Sequence, residues 1–283
     1  MTASPRFSFK VWPQDIDWAE LKDVWVEEDT HDRYDGGWLF DHFYPPRPGQ
    51  RAALFEAWTL LASLAAVTER LRLGVMVSAN TFRHPSLLAK MAATVDQVTN
   101  GRLDIGLGAG WHEEEHRAFG IELPGAEQLW RRLDEACAII DGLLTQEVFS
   151  FDGADFQLHE AEPGLKPVQG PRPPIVIGGI GRRRTLPIVA KWADHWNYFG
   201  RQMTPEDLLS RHELLKKFCT DVGRDPDEID VSVQLLYADE PSGLVSAAAD
   251  YVEAGADEIL VSFRTPLAPG AVETCGSALA SLR

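Results

Sequence analysis

Asp41 and His42 stand together at the end of a short apolar run, Trp38, Leu39 and Phe40. An imidazole at such a place suits general acid–base work, because its free pKa lies near neutrality. A histidine hydrogen-bonded at the rim of a sheet fits the same residues, so both readings stay open. Further on, 103–108 reads as a buried strand that breaks into Gly108, Ala109, Gly110 and Trp111 and then enters a charged helix. Glycines at such a junction let backbone N–H groups approach a flat or anionic ligand where a Cβ would collide. A third group, Gly178, Gly179, Ile180 and Gly181 followed by Arg182, Arg183 and Arg184, has the composition of a phosphate cradle. Glycine amides at a helix N-terminus would meet the anion, and Arg182 would add charge-assisted hydrogen bonds. A tight turn before a solvated basic helix face reads equally well there.

The segment His112-Glu113-Glu114-Glu115-His116 spells the H-E-x-x-H signature of zinc proteases. Three consecutive acids leave little apolar face to bury the two histidines, and no third histidine follows at the expected place. The expectation is therefore a solvated helix start, with its acids at the favourable dipole end, and no metal. GLGAGW lacks the last glycine of the dinucleotide fingerprint, where Trp111 stands, so a Rossmann site is not expected. His84, before Pro85, and His195 read as structural.

The elements that must position these residues alternate from end to end. Short apolar runs at 7–12, 38–42, 71–77, 103–108, 174–178, 195–200, 231–238 and 258–263 predict eight strands. Helical patterns separate them. Leu87, Leu88, Met91, Val95 and Val98 predict one helix face, and Leu129, Leu133, Ile140 and Leu144 the next. Thr204 before Pro205 predicts a helix start. Eight βα units without a break predict one α/β domain over 1–283, a closed (β/α)8 TIM barrel rather than an open sheet. Chemistry in such a barrel belongs at the C-terminal ends of the strands. Phe149 and Phe151, the turn Asp152-Gly153, then Phe156 and Leu158 predict a β-hairpin inserted before the fifth strand, outside the barrel rhythm, as a lid.

The totals narrow the partners. A net charge of −16 over 283 residues argues against nucleic acid and against an anionic membrane surface. A small molecule in a local pocket remains compatible with it. Cys137, Cys219 and Cys275 lie far apart with no CxxC pair, which suggests neither a disulfide framework nor a cysteine metal site. No signal peptide or long apolar run is visible, so a cytoplasmic protein is expected.

Taken in order, the strand ends resemble the luciferase-like monooxygenase superfamily, in its coenzyme F420-dependent branch. The matching pieces are Leu39 to Phe43, Leu71 to Val77 with Asn80 to Pro85, Gly101 to Leu103, Gly110-Trp111 with Glu115-His116, Pro174 to Gly179, and Ala193-Asp194. The resemblance implies a barrel that binds a deazaflavin, or alternatively FMN, at its C-terminal face, and oxidoreductase chemistry on a small organic substrate. It implies a bulge after the third strand, with a non-proline cis peptide near Met76-Val77, behind the ring. It places Asn80, Thr81, Gly108, Gly110 and Trp111 along the cofactor, and the phosphate on Gly178, Gly179, Ile180, Gly181 and Arg182. Asp41 and His42 would face the ring, with His42 handling the proton during hydride transfer. An FMN-dependent monooxygenase using oxygen and a non-enzymatic flavin-binding relative are the alternatives. Relatives that oxidise sugar phosphates carry an acid where this chain has Trp111, which favours an apolar or aromatic substrate. Members of the superfamily often dimerise.

Overall fold

Side chains along β1 (Arg6–Val11) alternate between two environments. Phe7, Phe9 and Val11 are fully buried beneath the surrounding helices, Phe9 meeting Trp25 and Tyr34 edge-on, while Lys10 turns into the barrel. The computed structural model describes residues 4–47, 49–199, 204–238 and 241–283. The other strands are β2 (Gly36–Leu39), β3 (Arg72–Val75), β4 (Ser78–Ala79), β5 (Leu103–Gly108), β6 (Phe149–Asp152), β7 (Gln157–Ala161), β8 (Ile175–Gly178), β9 (His195–Phe199), β10 (Asp230–Leu236) and β11 (Glu258–Phe263). All pairs but β6–β7 are parallel, and the order β3-β2-β1-β11-β10-β9-β8-β5-β4 closes through β3 on β5, with Leu73 opposite Leu103. Eight strands close the ring; β4 continues β3 beyond a break, pairing Ala79 with Gly108. The fold is a (β/α)8 barrel.

The helices are α1 (Trp18–Asp29), α2 (Ala57–Ala65), α3 (Pro85–Thr99), α4 (Glu113–Phe119), α5 (Ala126–Thr145), α6 (Thr185–Trp192), α7 (Pro205–Val222), α8 (Pro241–Glu253) and α9 (Ala271–Leu279). Thr204 closes a capping box with Asp207 at the start of α7, as its sequence predicts. Among the described residues no helix is long and apolar enough to cross a membrane. The barrel's inside is layered. Trp38, Met76, Val176 and Leu260 fill the middle. A charged layer, with Arg72 forked onto Asp104 at 2.6 and 3.0 Å, plugs the N-terminal end. The C-terminal end stays open above them.

The break between β3 and β4 shapes that opening. The Met76–Val77 peptide is cis, where the resemblance places it. A Cβ on Gly106 would stand 1.8 Å from the Val75 carbonyl oxygen, and one on Gly108 2.6 Å from Val77 Cγ2. A Cβ on Gly178 would stand 3.0 Å from Val77 Cγ1. These glycines are therefore required by the neighbouring strand before any ligand arrives.

Four expectations need correction. The hairpin forms, yet none of β6 or β7 reaches the barrel mouth. Glu135 on α5 accepts the backbone N–H groups of Ala154, Asp155 and Phe156, and Phe149 lies over Gly142, so the hairpin is clasped to α5 rather than closing a site. Leu87 and Val98 are about half exposed, because the buried face of α3 follows Leu88, Ala92 and Val95 instead. The 38–42 run is strand only to Leu39, which leaves Phe40, Asp41 and His42 in the following loop. The predicted 195–200 strand runs to Phe199, and Gly200 lies outside the described residues.

Candidate active site

A cavity of about 530 Å³ opens at the C-terminal ends of the strands, within the size range of small-molecule sites. Its walls come from β1 (Lys10, followed by Trp12), the β2 loop (Phe40, Asp41, His42), the β3–β4 bulge (Met76, Val77, Ala79) and the β5 loop (Gly108, Ala109, Gly110, Trp111). The N-cap His112 and Glu115 and His116 of α4 add to them, as do Pro46, Arg47, Phe82 and Trp130, with Gly178, Gly179, Asn197, Phe199 and Gln234 from β8, β9 and β10.

The His42 ring is held by Glu115, whose carboxylate oxygens lie 3.0 and 3.2 Å from Nδ1. Glu115 is fully buried. An ionised carboxylate can only accept, so Nδ1 carries the hydrogen and Nε2 is left for a ligand. Phe40, Trp111 and His112 surround the imidazole edge-on at centroid distances of 5.5 to 5.9 Å, which fixes its plane.

Asp41 has a different task. Both its oxygens are committed: Arg83 donates to them at 2.5 and 3.0 Å, and the Ala79 N–H donates at 3.1 Å. Burial pushes the Asp41 carboxyl up against the opposing pull of Arg83. Arg83 also reaches Glu56, the N-cap of α2. Asp41 thus ties the β2 loop to the bulge strand.

The sequence reading misplaced the charged helix. His112, Glu115 and His116 are buried, on the face of α4 turned inward, while Glu113 is exposed and Glu114 faces outward to Arg51. His116 Nε2 lies 2.7 Å from Thr81 Oγ1, and its Nδ1 lies 2.9 Å from the His112 carbonyl oxygen. His112 Nδ1 accepts the Glu115 N–H at 3.4 Å, and its buried Nε2 has no protein partner. An unpaired buried ring nitrogen on a cavity wall costs free energy unless a ligand or water meets it. The helix start is therefore part of the cavity wall rather than a solvated surface. The signal was present as the i, i+3, i+4 spacing of 112, 115 and 116.

Asp41, His42, Met76, Val77, Gly108, Gly110, Trp111, Gly178 and Gly179 line the cavity, and five other expected cofactor residues do not. Thr81 stands behind His116 and fills the space that Gly110, at φ +91°, leaves open. Asn80 is buried with its N–H on the Gly108 carbonyl. Gly181 bonds to Thr185 Oγ1 at the start of α6, and the Ile180 carbonyl accepts from Arg211. Arg182 turns away to Ser210 on α7, so the basic run does not supply a charge to the cavity. Gly179, at φ +130°, does reach it. Among the wall residues that escaped the sequence reading are Lys10 and Gln234, joined at 2.6 Å from Nζ to Oε1.

The arrangement fits a flat aromatic ring. Glycines 108 and 178 flatten one wall around Val77, aromatic rings line other parts of the cavity, and the unpaired His112 Nε2 and the amides of Gln234 and Asn197 offer polar partners. Known proteins resemble the chain in sequence and in fold. The pyrimidine monooxygenase RutA of Agrobacterium fabrum is 30% identical over 207 residues, spanning 72% of this chain and 55% of that protein. An F420-dependent secondary alcohol dehydrogenase solved with an F420–acetone adduct superposes with a TM-score of 0.87 at 16% identity, covering 99% of this chain and 100% of that one. The coenzyme F420-dependent tetrahydromethanopterin reductase of Methanopyrus kandleri gives a TM-score of 0.81 at 17% identity, with 99% of each chain covered. At such identities the two structures speak for the fold. The family model for luciferase-like monooxygenases matches residues 19–264, and the chain belongs to that family.

Proposed function

We propose that the protein is an F420-dependent oxidoreductase, a single barrel domain over 1–283 that moves a hydride between the deazaflavin and a small organic substrate. The observation that carries this reading is the His42–Glu115 pair at 3.0 Å, on the wall of the same cavity that the Val77 bulge lines. The names of two F420-dependent structural neighbours support a deazaflavin as the cofactor.

The bound deazaflavin would supply the two-electron acceptor or donor. Val77, Gly108 and Gly178 would support one face of its ring, and Gly179 would lie near its polar chain. His42 Nε2 takes the hydroxyl proton of an alcohol substrate as its C–H bond gives up a hydride, or returns a proton in the reverse direction. Glu115 stabilises the imidazolium and keeps the ring in the productive tautomer. Phe40, Trp12 and Trp111 exclude water from the reacting groups, and Trp111 at the rim contacts the substrate. Asp41 acts by positioning, through Arg83 and Ala79.

Titration of the purified protein with F420 and with FMN, followed by absorbance and fluorescence, tests the reading. Tight F420 binding, with turnover that His42→Ala lowers by about 10²- to 10⁴-fold, is expected. Tight FMN binding with no F420 binding would replace hydride transfer with oxygen-dependent monooxygenation on the same barrel.

A further inference from the structure

Lys10 is a buried cation that the proton chemistry above does not use. It projects from β1 into the barrel, crosses in front of β11, and ends on Gln234 Oε1 of β10 at 2.6 Å. The residue is 4% exposed and lines the cavity, and among the described residues no carboxylate pairs with it. An ammonium has three donors and Gln234 takes one. Cations of this kind are rarely buried without an anion, because desolvation favours the neutral amine. Burial alone draws Lys10 down to about 7. Structure elsewhere in the chain does not need it, since β1 is already held by its ladders to β2 and β11. The surroundings are polar on one side: Asn197 is fixed by its Nδ2 on Ser232 Oγ at 2.8 Å, and it shares the wall with Gln234. In the ring of strands Gln234 stands on β10, opposite β3, and Lys10 on β1, two strands from β3.

We propose that Lys10 holds the negative charge of the reduced ring, its ammonium meeting an anionic oxygen on the pyrimidinedione edge, with Gln234 and Asn197 bonding the alternating carbonyl and N–H groups beside it. This rests on the reading of the cavity as a deazaflavin or flavin site. The charge balance requires a partner there. A hydride that leaves a substrate carbon carries two electrons and one proton onto a neutral ring, which becomes an anion, while the substrate's hydroxyl proton goes to His42. The ammonium neutralises that anion without giving up a proton, so it favours the reduced form over the oxidised one. Lys10 and His42 then divide the work, one for the charge on the ring and one for the proton on the substrate.

Wild-type protein, Lys10→Met and Lys10→Gln are titrated without oxygen against oxidised and reduced F420, with FMN in both states run in parallel. Lys10→Met is expected to bind the oxidised form within about threefold of wild type and the reduced form roughly 10- to 100-fold more weakly. Each factor of ten lowers the midpoint potential of the bound two-electron couple by about 30 mV. Lys10→Arg, which keeps the charge, is expected to recover part of the preference. Lys10→Gln serves as a second neutral variant, should the methionine disturb folding. Equal loss in both redox states, or none in either, would overturn the assignment. The latter, an affinity for both redox states of the cofactor equal to that of the wild type, would move the ammonium's role to the substrate. A wild-type protein that binds neither ring would instead bring down the proposed function itself, and that control is read before any variant.

Discussion

Replacing Gly106 by alanine tests the claim that the bulge, rather than a ligand, dictates the glycines of β5. The added Cβ would stand 1.8 Å from the Val75 carbonyl oxygen and 3.0 Å from its carbon. Both are backbone atoms, so relief requires β3 and β5 to part by more than an ångström where the barrel closes. Overpacking a well-packed interior costs about 1–3 kcal/mol and occasionally more; with no side chain able to swing aside, Gly106→Ala is expected at or above the top of that range. Gly108→Ala meets only the Cγ2 of Val77, at 2.6 Å, and a side chain can leave its rotamer for about 0.5–1.5 kcal/mol. Part of that is offset, because alanine has less freedom to lose on folding than glycine. Urea unfolding followed by circular dichroism reads both. With a slope near 3 kcal/mol per molar, Gly106→Ala should lower the midpoint by about 1 M and Gly108→Ala by a few tenths. Adding Val77→Ala to Gly108→Ala should cost less than it costs alone, a coupling of the order of 1 kcal/mol. Gly125→Ala, where nothing lies within 4 Å of the new Cβ, serves as the control. If Gly106→Ala shifts the midpoint no further than that control, the packing argument fails.

Two further outcomes follow from buried charges. Arg83→Met leaves Asp41 buried with only the Ala79 N–H, and a broken buried ion pair costs about 3–5 kcal/mol; Arg83→Met combined with Asp41→Asn should recover part of that loss in chemical denaturation. Lys10 gives a pH dependence: the folded protein releases its proton near 7, the unfolded chain near the ordinary lysine value of 10.5. Between those values the unfolded chain binds more protons, so this group makes stability rise with pH across the window, and its penalty is complete below 7. Without cofactor, Lys10→Met should therefore exceed wild type in stability at pH 6, by about 5 kcal/mol at most, with the advantage shrinking towards pH 10. A constant difference at pH 6, 8 and 9.5 would contradict it.

The barrel was legible because parallel strands buried on both sides carry dense apolar runs, and β5 and β11 match their predicted limits. The site was legible in part. Asp41 beside His42 marks the right loop, but the partner of His42 is 73 positions away, and only the closed ring brings Glu115 to it. Three consecutive acids read as solvent-facing because composition hides that every third or fourth position of a helix faces one way. Lys10 was missed for the opposite reason: in Phe-Ser-Phe-Lys-Val the alternation puts Ser8 and Lys10 on one face, and only closure makes that face an interior. Arg182 shows the converse error, since a basic run beside a glycine turn says nothing of which way its side chains point.

Helix α4 joins two functions that are separate in sequence terms. Its inner face carries Glu115, the partner of His42, while the adjoining Glu114 holds the loop beyond it by accepting from Arg51 Nη2 at 2.5 Å and from the Gly49 N–H at 3.0 Å. The helix is only seven residues long. A change that loosens the mouth through Glu114 is thus transmitted, within one peptide unit, to the carboxylate that sets the histidine's tautomer. Entrance and proposed base thus share one short helix, and a variant selected for a wider entrance through Glu114 is expected to shift the carboxylate beside His42 as well.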